Sequence, residues 1–179
     1  LPGMIALATL LVLQATPMRF ASIFTDHMVL QRQRNVPIWG TATPGATVDI
    51  AGSWGAQAKA IADATGRWEA SLKTGKAGGP YILTATSPDS QAKVEDVLLG
   101  EVWLCGGQSN MEWPLGEVPG YVPSIEGAKE EVAQANFPNI RLLTVPRISS
   151  DIPLTTADLR WERCSPKSVR TFSATGYLF

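Results

Sequence analysis

The chain has 179 residues, of which 45% are apolar, so its composition indicates a globular protein rather than a disordered one. Lys and Arg number 15 and Asp and Glu number 16, for a net charge of −1. No excess of positive charge exists to bind a phosphate backbone, which argues against nucleic acid as a partner. Charged residues are only 17%, whereas glycine occurs 16 times and proline 13 times, a composition typical of strands and turns.

The N-terminal segment is apolar and uncharged over residues 4–13, MIALATLLVL. It is too short to span a bilayer, which takes about 20 apolar residues. Its length matches the apolar core of a secretory signal peptide. We therefore predict residues 1–18 to be a clipped signal peptide and the mature protein to be periplasmic or secreted, without a membrane anchor. A buried first strand or helix is the alternative.

Residues 19–97 show short alternating segments separated by turns. The alternation is clearest at Trp68, Ala70 and Leu72, which are interleaved with polar residues. Turn sequences recur at 43–45, 63–66, 78–80 and 87–89. Such spacing predicts a β-sandwich domain.

Three tryptophans in this region are candidate platforms for a sugar ring. Trp39 and Trp68 lie within strand patterns and are expected in the core. Trp54 lies in the turn Gly52-Ser53-Trp54-Gly55 and is the one candidate for a surface aromatic.

The histidine and cysteine content limits the chemistry. His27 is the sole histidine, and its place among the sandwich strands, far from Ser109 in the sequence, argues against a role as general base. Cys105 and Cys164 lack the spacing of a structural zinc site. They could form a disulfide in an oxidising compartment or remain two separate thiols, and the sequence leaves both open. No cluster of metal ligands is present, so we expect no metal and no organic cofactor.

Residues 98–179 have a different sequence pattern, which indicates alternating strands and helices. That alternation predicts an α/β domain with some parallel sheet. The expected elements are a buried strand at 101–105, a helix over about 125–135 capped by Ser124, a strand at 140–145 and a helix that begins at Ser165-Pro166.

The tract that follows the first of these strands, GGQSNMEW at 106–113, contains Ser109 on a glycine turn. A serine just past the carboxyl end of a strand can present its hydroxyl, with backbone N–H groups nearby for an oxyanion. The tract departs from the Gly-x-Ser-x-Gly of α/β-hydrolases because Met111 stands at the second glycine. A plain loop is the other interpretation.

The longer block EVWLCGGQSNMEWPL resembles the first catalytic block of the SGNH (GDSL-like) hydrolases, in the form found in the sialate O-acetylesterase family. Segments along the rest of the chain resemble that family in the same order, among them FTDHMVLQRQRNVPIWGTATPGATVDI, DATGRWEASL, NIRLLTVPR and WERCSPKSVRTFSATGYLF.

The resemblance implies a function and a fold. Ser109 would be the nucleophile that forms an acetyl-enzyme with an O-acetylated sugar, inside a three-layer, flavodoxin-like α/β domain. Gly107, Gln108 and Asn110 would form the oxyanion turn. Glu112 and Trp113, which come shortly after it, are candidate substrate-lining residues. Glu112 matches no role in the family and could instead face solvent.

The resemblance also implies that two catalytic groups of the family are absent from this sequence. The histidine base and its acidic partner come from a late Asp-x-x-His block in that family, which the chain does not contain. The expectation is therefore an N-terminal part of a longer esterase, inactive alone. Two alternatives stay open, namely an acetyl xylan or other polysaccharide esterase, and a non-catalytic carbohydrate-binding sandwich.

Overall fold

The computed structural model describes residues 16–120, 125–152, 154 and 156–179. Residues 1–15, which carry most of the predicted signal peptide, and Ser124, the predicted helix cap, lie outside this description. The structure is mostly β-sheet with a few short helices. Among the helices of the described residues, none has the length and apolar character needed to span a membrane.

Eight strands form two sheets around the first core. They are β1 (Arg19–Phe20), β2 (Val29–Gln31), β3 (Asn35–Thr41), β4 (Thr47–Gly52), β5 (Ala56–Ile61), β6 (Arg67–Lys73), β7 (Gly78–Thr86) and β8 (Gln91–Gly100). One sheet has the order β1-β3-β6 and the other has the order β2-β8-β7-β4-β5, with β2 and β8 parallel and the remaining pairs antiparallel.

The alternating sequence pattern accounts for how these sheets pack. On β6 the side chains of Trp68, Ala70 and Leu72 are buried and their neighbours are exposed, because successive side chains of a strand point to opposite faces. The buried faces of the two sheets share one apolar core. The short strands expected between residues 19 and 97 are thus observed as a two-sheet sandwich.

The three tryptophans of this region all pack. Trp68 is fully buried, and Trp39 lies edge-on to Phe24 with ring centroids 4.7 Å apart. Trp54, the candidate surface aromatic, is half-buried. Its Nε1 donates to the Lys73 carbonyl at 2.9 Å, and its ring lies edge-on to Tyr81 with centroids 5.6 Å apart.

The remaining elements surround a second, smaller core formed by Leu115, Val132, Ala135, Leu142, Cys164, Val169 and Ala174. They are α1 (Ala128–Gln134), β9 (Phe137–Leu143), β10 (Trp161–Cys164), α2 (Pro166–Val169) and α3 (Ala174–Leu178). The predicted start at Ser165-Pro166 is confirmed, since Pro166 is the first residue of α2 and the Ser165 hydroxyl accepts from the Ser168 N–H at 3.2 Å.

Residues 101–105, predicted to be a buried strand, are exposed and form no strand. Leu104 is 95% exposed. The ladder of β8 stops at Gly100, and no strand of the described residues pairs with the chain beyond it. An apolar run indicates a tendency to be buried, but it does not supply the neighbouring strand.

Two further boundaries differ from expectation. The helix begins at Ala128 instead of 125, because Gly127 takes a left-handed conformation with φ of 78° before it. The strand begins at Phe137 and ends at Leu143, pairing antiparallel with β10. The parallel pairing expected in this half is therefore not formed by the described residues there.

An ionic cluster joins the two cores. Asp96 of β8 accepts hydrogen bonds from Arg141 of β9 and from Arg163 of β10, the latter at 2.8 Å. His27, from the turn before β2, also contacts Asp96 through Nδ1 at 2.6 Å. The cluster links the two-stranded β9–β10 sheet to the five-stranded sheet.

Candidate active site

Ser109 opens a short 3₁₀ helix, Ser109–Met111, and is exposed to solvent. The turn is closed by two backbone hydrogen bonds, from Met111 N–H to the Gln108 carbonyl at 2.9 Å and from Glu112 N–H to the Ser109 carbonyl at 3.1 Å. Gly107 lies close to Met111: a Cβ there would be 2.5 Å from Cγ of Met111, so a larger residue would require that side chain to shift. The tract thus holds its serine in an ordered, accessible turn.

The serine turn is anchored to the second core on its C-terminal side. The Asn110 carbonyl accepts from Oγ1 of Thr175 at 3.1 Å, and the Trp113 carbonyl accepts from the Ala174 N–H at 2.8 Å. Leu115 is fully buried and its N–H donates to the Phe172 carbonyl at 2.9 Å. The first residues of α3 and the segment just before it therefore fix the position of the residues that follow Ser109.

A cleft of about 1500 Å³ lies beside this turn, with Met111 and Glu112 in its lining. One wall carries Trp103 and Phe179, whose rings meet edge to face with centroids 5.3 Å apart. Ser109 comes two residues before this lining and Trp113 is not part of it. Of the two residues predicted to line a substrate site, Glu112 thus faces the cleft.

Glu112 has a partner that sequence reasoning missed. Nη1 of Arg147 donates to Oε2 of Glu112 at 3.0 Å, and Arg147 also lines the cleft. No local sequence pattern identifies this pair, because Arg147 lies 35 residues after Glu112. Thr175, the donor to Asn110, is likewise distant, at 65 residues.

The described residues supply no base for the serine. Within them, the Ser109 hydroxyl contacts no hydrogen-bond acceptor. The sole histidine, His27, is bound to Asp96 in the ionic cluster at the two-sheet core. No group of three His, Cys, Asp or Glu side chains in the described part of the chain is arranged to hold a metal ion.

Comparison with known proteins gives clear relatives, although no family model matches the chain. Sialate O-acetylesterase of Mus musculus is 32% identical over 158 residues, covering 81% of this chain and 28% of that protein. Sialate O-acetylesterase of Homo sapiens is 31% identical over 182 residues, covering 90% and 33%. The crystal structure of a carbohydrate acetylesterase from Xanthomonas citri matches with a TM-score of 0.80 and 35% identity, over 92% of this chain and 36% of that one.

The chain is a homologue of the sialate O-acetylesterases. The resemblance found in the serine block and along the chain is thereby confirmed. The chain spans about a third of the length of the curated relatives it matches. Its mostly β structure with few helices matches the corresponding part of the carbohydrate acetylesterase structure.

The two cysteines of this esterase homologue are both free. Cys105 is exposed and lines the cleft, while Cys164 is buried in the second core. Burial raises the pKa of the Cys164 thiol. Of the two possibilities that the sequence left open, the structure shows separate thiols, with one of them accessible.

Proposed function

We propose that this chain is part of a serine carbohydrate esterase that removes O-acetyl groups from sialic acids through an acetyl-enzyme on Ser109. The observation that carries the proposal is the exposed Ser109 on its glycine turn, in a chain homologous to sialate O-acetylesterases. In this reading residues 98–179 belong to an SGNH-type α/β domain and residues 19–97 form the sandwich that precedes it.

The reaction would run in two steps. Oγ of Ser109 attacks the acetyl carbonyl while a base removes its proton, and the sugar hydroxyl leaves to give the acetyl-enzyme. Water then releases acetate. The backbone N–H of Ser109 and the turn formed by Gly107, Gln108 and Asn110 would face the oxyanion of each tetrahedral intermediate. The histidine and its acidic partner would come from the Asp-x-x-His block that the family resemblance implies.

Further parts of the proposal concern the surroundings of the reaction. Glu112 and Trp113 would lie near the sugar, and the mature protein would be periplasmic or secreted, without a membrane anchor. An acetyl xylan or other polysaccharide ester is the alternative substrate. It is favoured only by the broader description, carbohydrate acetylesterase, of the Xanthomonas citri relative.

Replacement of Ser109 by alanine in the full-length gene product tests the proposal. We expect turnover of O-acetylated sialic acid to fall by several orders of magnitude, as removal of a nucleophile does. The control is Ser71→Ala, because Ser71 is also an exposed serine but lies on β6. The assignment is rejected if Ser109→Ala keeps its activity while folding normally by circular dichroism.

A further inference from the structure

The charged side chains of the cleft differ in whether other side chains already engage them or leave hydrogen-bonding groups for a ligand. Among the described residues, four charged ones line it: Glu101, Glu112, Arg141 and Arg147. Glu101 accepts from Arg32 and from Gln31, each at 2.7 Å. Arg141 is 3% exposed and gives both terminal nitrogens to Asp96. Of the two cations in the cleft, Arg147 is therefore the one that a ligand can still reach.

Arg147 has unused donors. Its side chain is 83% exposed, and among the described residues only Glu112 accepts from it, through Nη1. A guanidinium carries five N–H donors in a planar fork. The edge formed by Nε and Nη2 is left to bind a planar carboxylate with two parallel hydrogen bonds.

The pair is tied to the serine turn. Glu112 is the residue whose N–H closes that turn on the Ser109 carbonyl at 3.1 Å. The guanidinium of Arg147 is thus bound by a residue whose backbone is hydrogen-bonded to the proposed nucleophile. The single carboxylate neutralises one face of the cation and leaves its other edge open.

We propose that Arg147 binds the carboxylate of an acidic sugar and that Glu112 is the positioning residue for its guanidinium. This inference rests on the proposed function and deepens it, because it makes the site selective for O-acetylated acidic sugars over neutral ones. The shared chemistry is a sugar carboxylate, which a sialic acid and a uronic acid both carry. An acetylated xylose has no group for this cation to bind.

The test compares esters that differ in charge, using the full-length gene product. The substrates are O-acetylated N-acetylneuraminic acid, its methyl ester, O-acetylated galacturonic acid and O-acetylated xylose. The variants are Arg147→Gln, which removes the charge, and Arg147→Lys, which keeps the charge without the fork. The matched control is Arg160→Gln, an exposed arginine paired with Asp158 that does not line the cleft.

For Arg147→Gln we expect kcat/KM on the acidic substrate to fall by about 10- to 100-fold, mainly through KM, because a charge-assisted pair is lost. The methyl ester and the xylose ester should change less than about 2-fold, since neither offers a carboxylate. Arg147→Lys should recover part of the loss, and Arg160→Gln should match the wild type. The ratio between the sialic and uronic substrates tells which acid the site takes.

The outcomes separate this inference from the proposed function. An equal loss on charged and neutral esters, with Ser109→Ala inactive, overturns the role of Arg147 and leaves the esterase in place. A wild type that favours the xylose ester also overturns it. Should no ester be hydrolysed at all, the proposed function fails. Calorimetry with N-acetylneuraminic acid then decides the inference, which stands only if Arg147→Gln weakens binding.

Discussion

Asp96 and Arg141 join the two cores of the molecule through a paired contact, with Nη1 at 2.5 Å from Oδ2 and Nη2 at 3.2 Å from Oδ1. The pair is nearly out of solvent, since the side chain of Arg141 is 3% exposed and that of Asp96 is 11% exposed. Asp96 also takes a left-handed backbone conformation, with φ of 54°. A strained, buried charge held by partners from other strands indicates that the junction depends on this contact.

Asp96→Asn should therefore destabilise the chain. Removing one member of a buried pair leaves the other uncompensated, and the expected cost is about 3 kcal/mol in the free energy of unfolding. Urea denaturation followed by fluorescence measures it. The matched control is Asp158→Asn, because Asp158 pairs with Arg160 at the exposed surface and should cost less than about 1 kcal/mol. Equal small losses in both variants would contradict the role given to Asp96.

The carboxylate of Asp96 should also make the free energy of unfolding depend on pH in the acid range. Hydrogen bonds from Arg141 first, and then from Arg163 and His27, hold the pKa of Asp96 well below its usual 3.8. A pKa depressed by folding contributes stability that is complete above the unfolded value and is lost as pH falls toward the folded value. The gap in unfolding free energy between wild type and Asp96→Asn should thus shrink as the pH falls below about 4. A gap that stays unchanged down to pH 2.5 would show that Asp96 does not titrate in this way.

Thiol reactivity should distinguish the two cysteines. Cys105 is exposed, whereas Cys164 is buried and its thiol pKa is raised, which lowers the thiolate fraction available to react. A disulfide-exchange reagent should label one thiol per native chain within minutes and two after denaturation. Cys105→Ser should abolish the fast reaction and leave the slow one. Zero thiols in the denatured, unreduced protein would instead show that the two cysteines pair.

The strands of the two-sheet core were predictable because their evidence is local. Trp68, Ala70 and Leu72 alternate with polar residues, and the sheet buries that face. Residues 101–105 failed the same reasoning because their apolar run depends on a neighbouring strand that the described residues do not provide. The start of the helix was misplaced because the decisive feature is the backbone of Gly127, which a pattern of side chains does not show.

The position of the candidate nucleophile could be predicted from the sequence, but the ion pairs around the site could not. Gly107 and Ser109 carry a recognisable local pattern, and the structure presents that serine to solvent. The partners of Glu112 and Asp96 come from segments far along the chain, so their pairing requires the fold. One sign was nevertheless visible, since Arg141 interrupts an apolar run and a cation in such a place needs a buried acid.

The 179-residue chain by itself should not turn over acetyl esters. A serine hydroxyl needs a positioned base at neutral pH, and the sole histidine, His27, is engaged by Asp96. The nearest carboxylate by sequence, Glu112, is bound by Arg147. Hydrolysis of p-nitrophenyl acetate by the purified chain should therefore equal that of its Ser109→Ala variant. Activity well above background that is lost in Ser109→Ala would contradict this expectation, and its loss in Glu112→Gln as well would identify the carboxylate as the base.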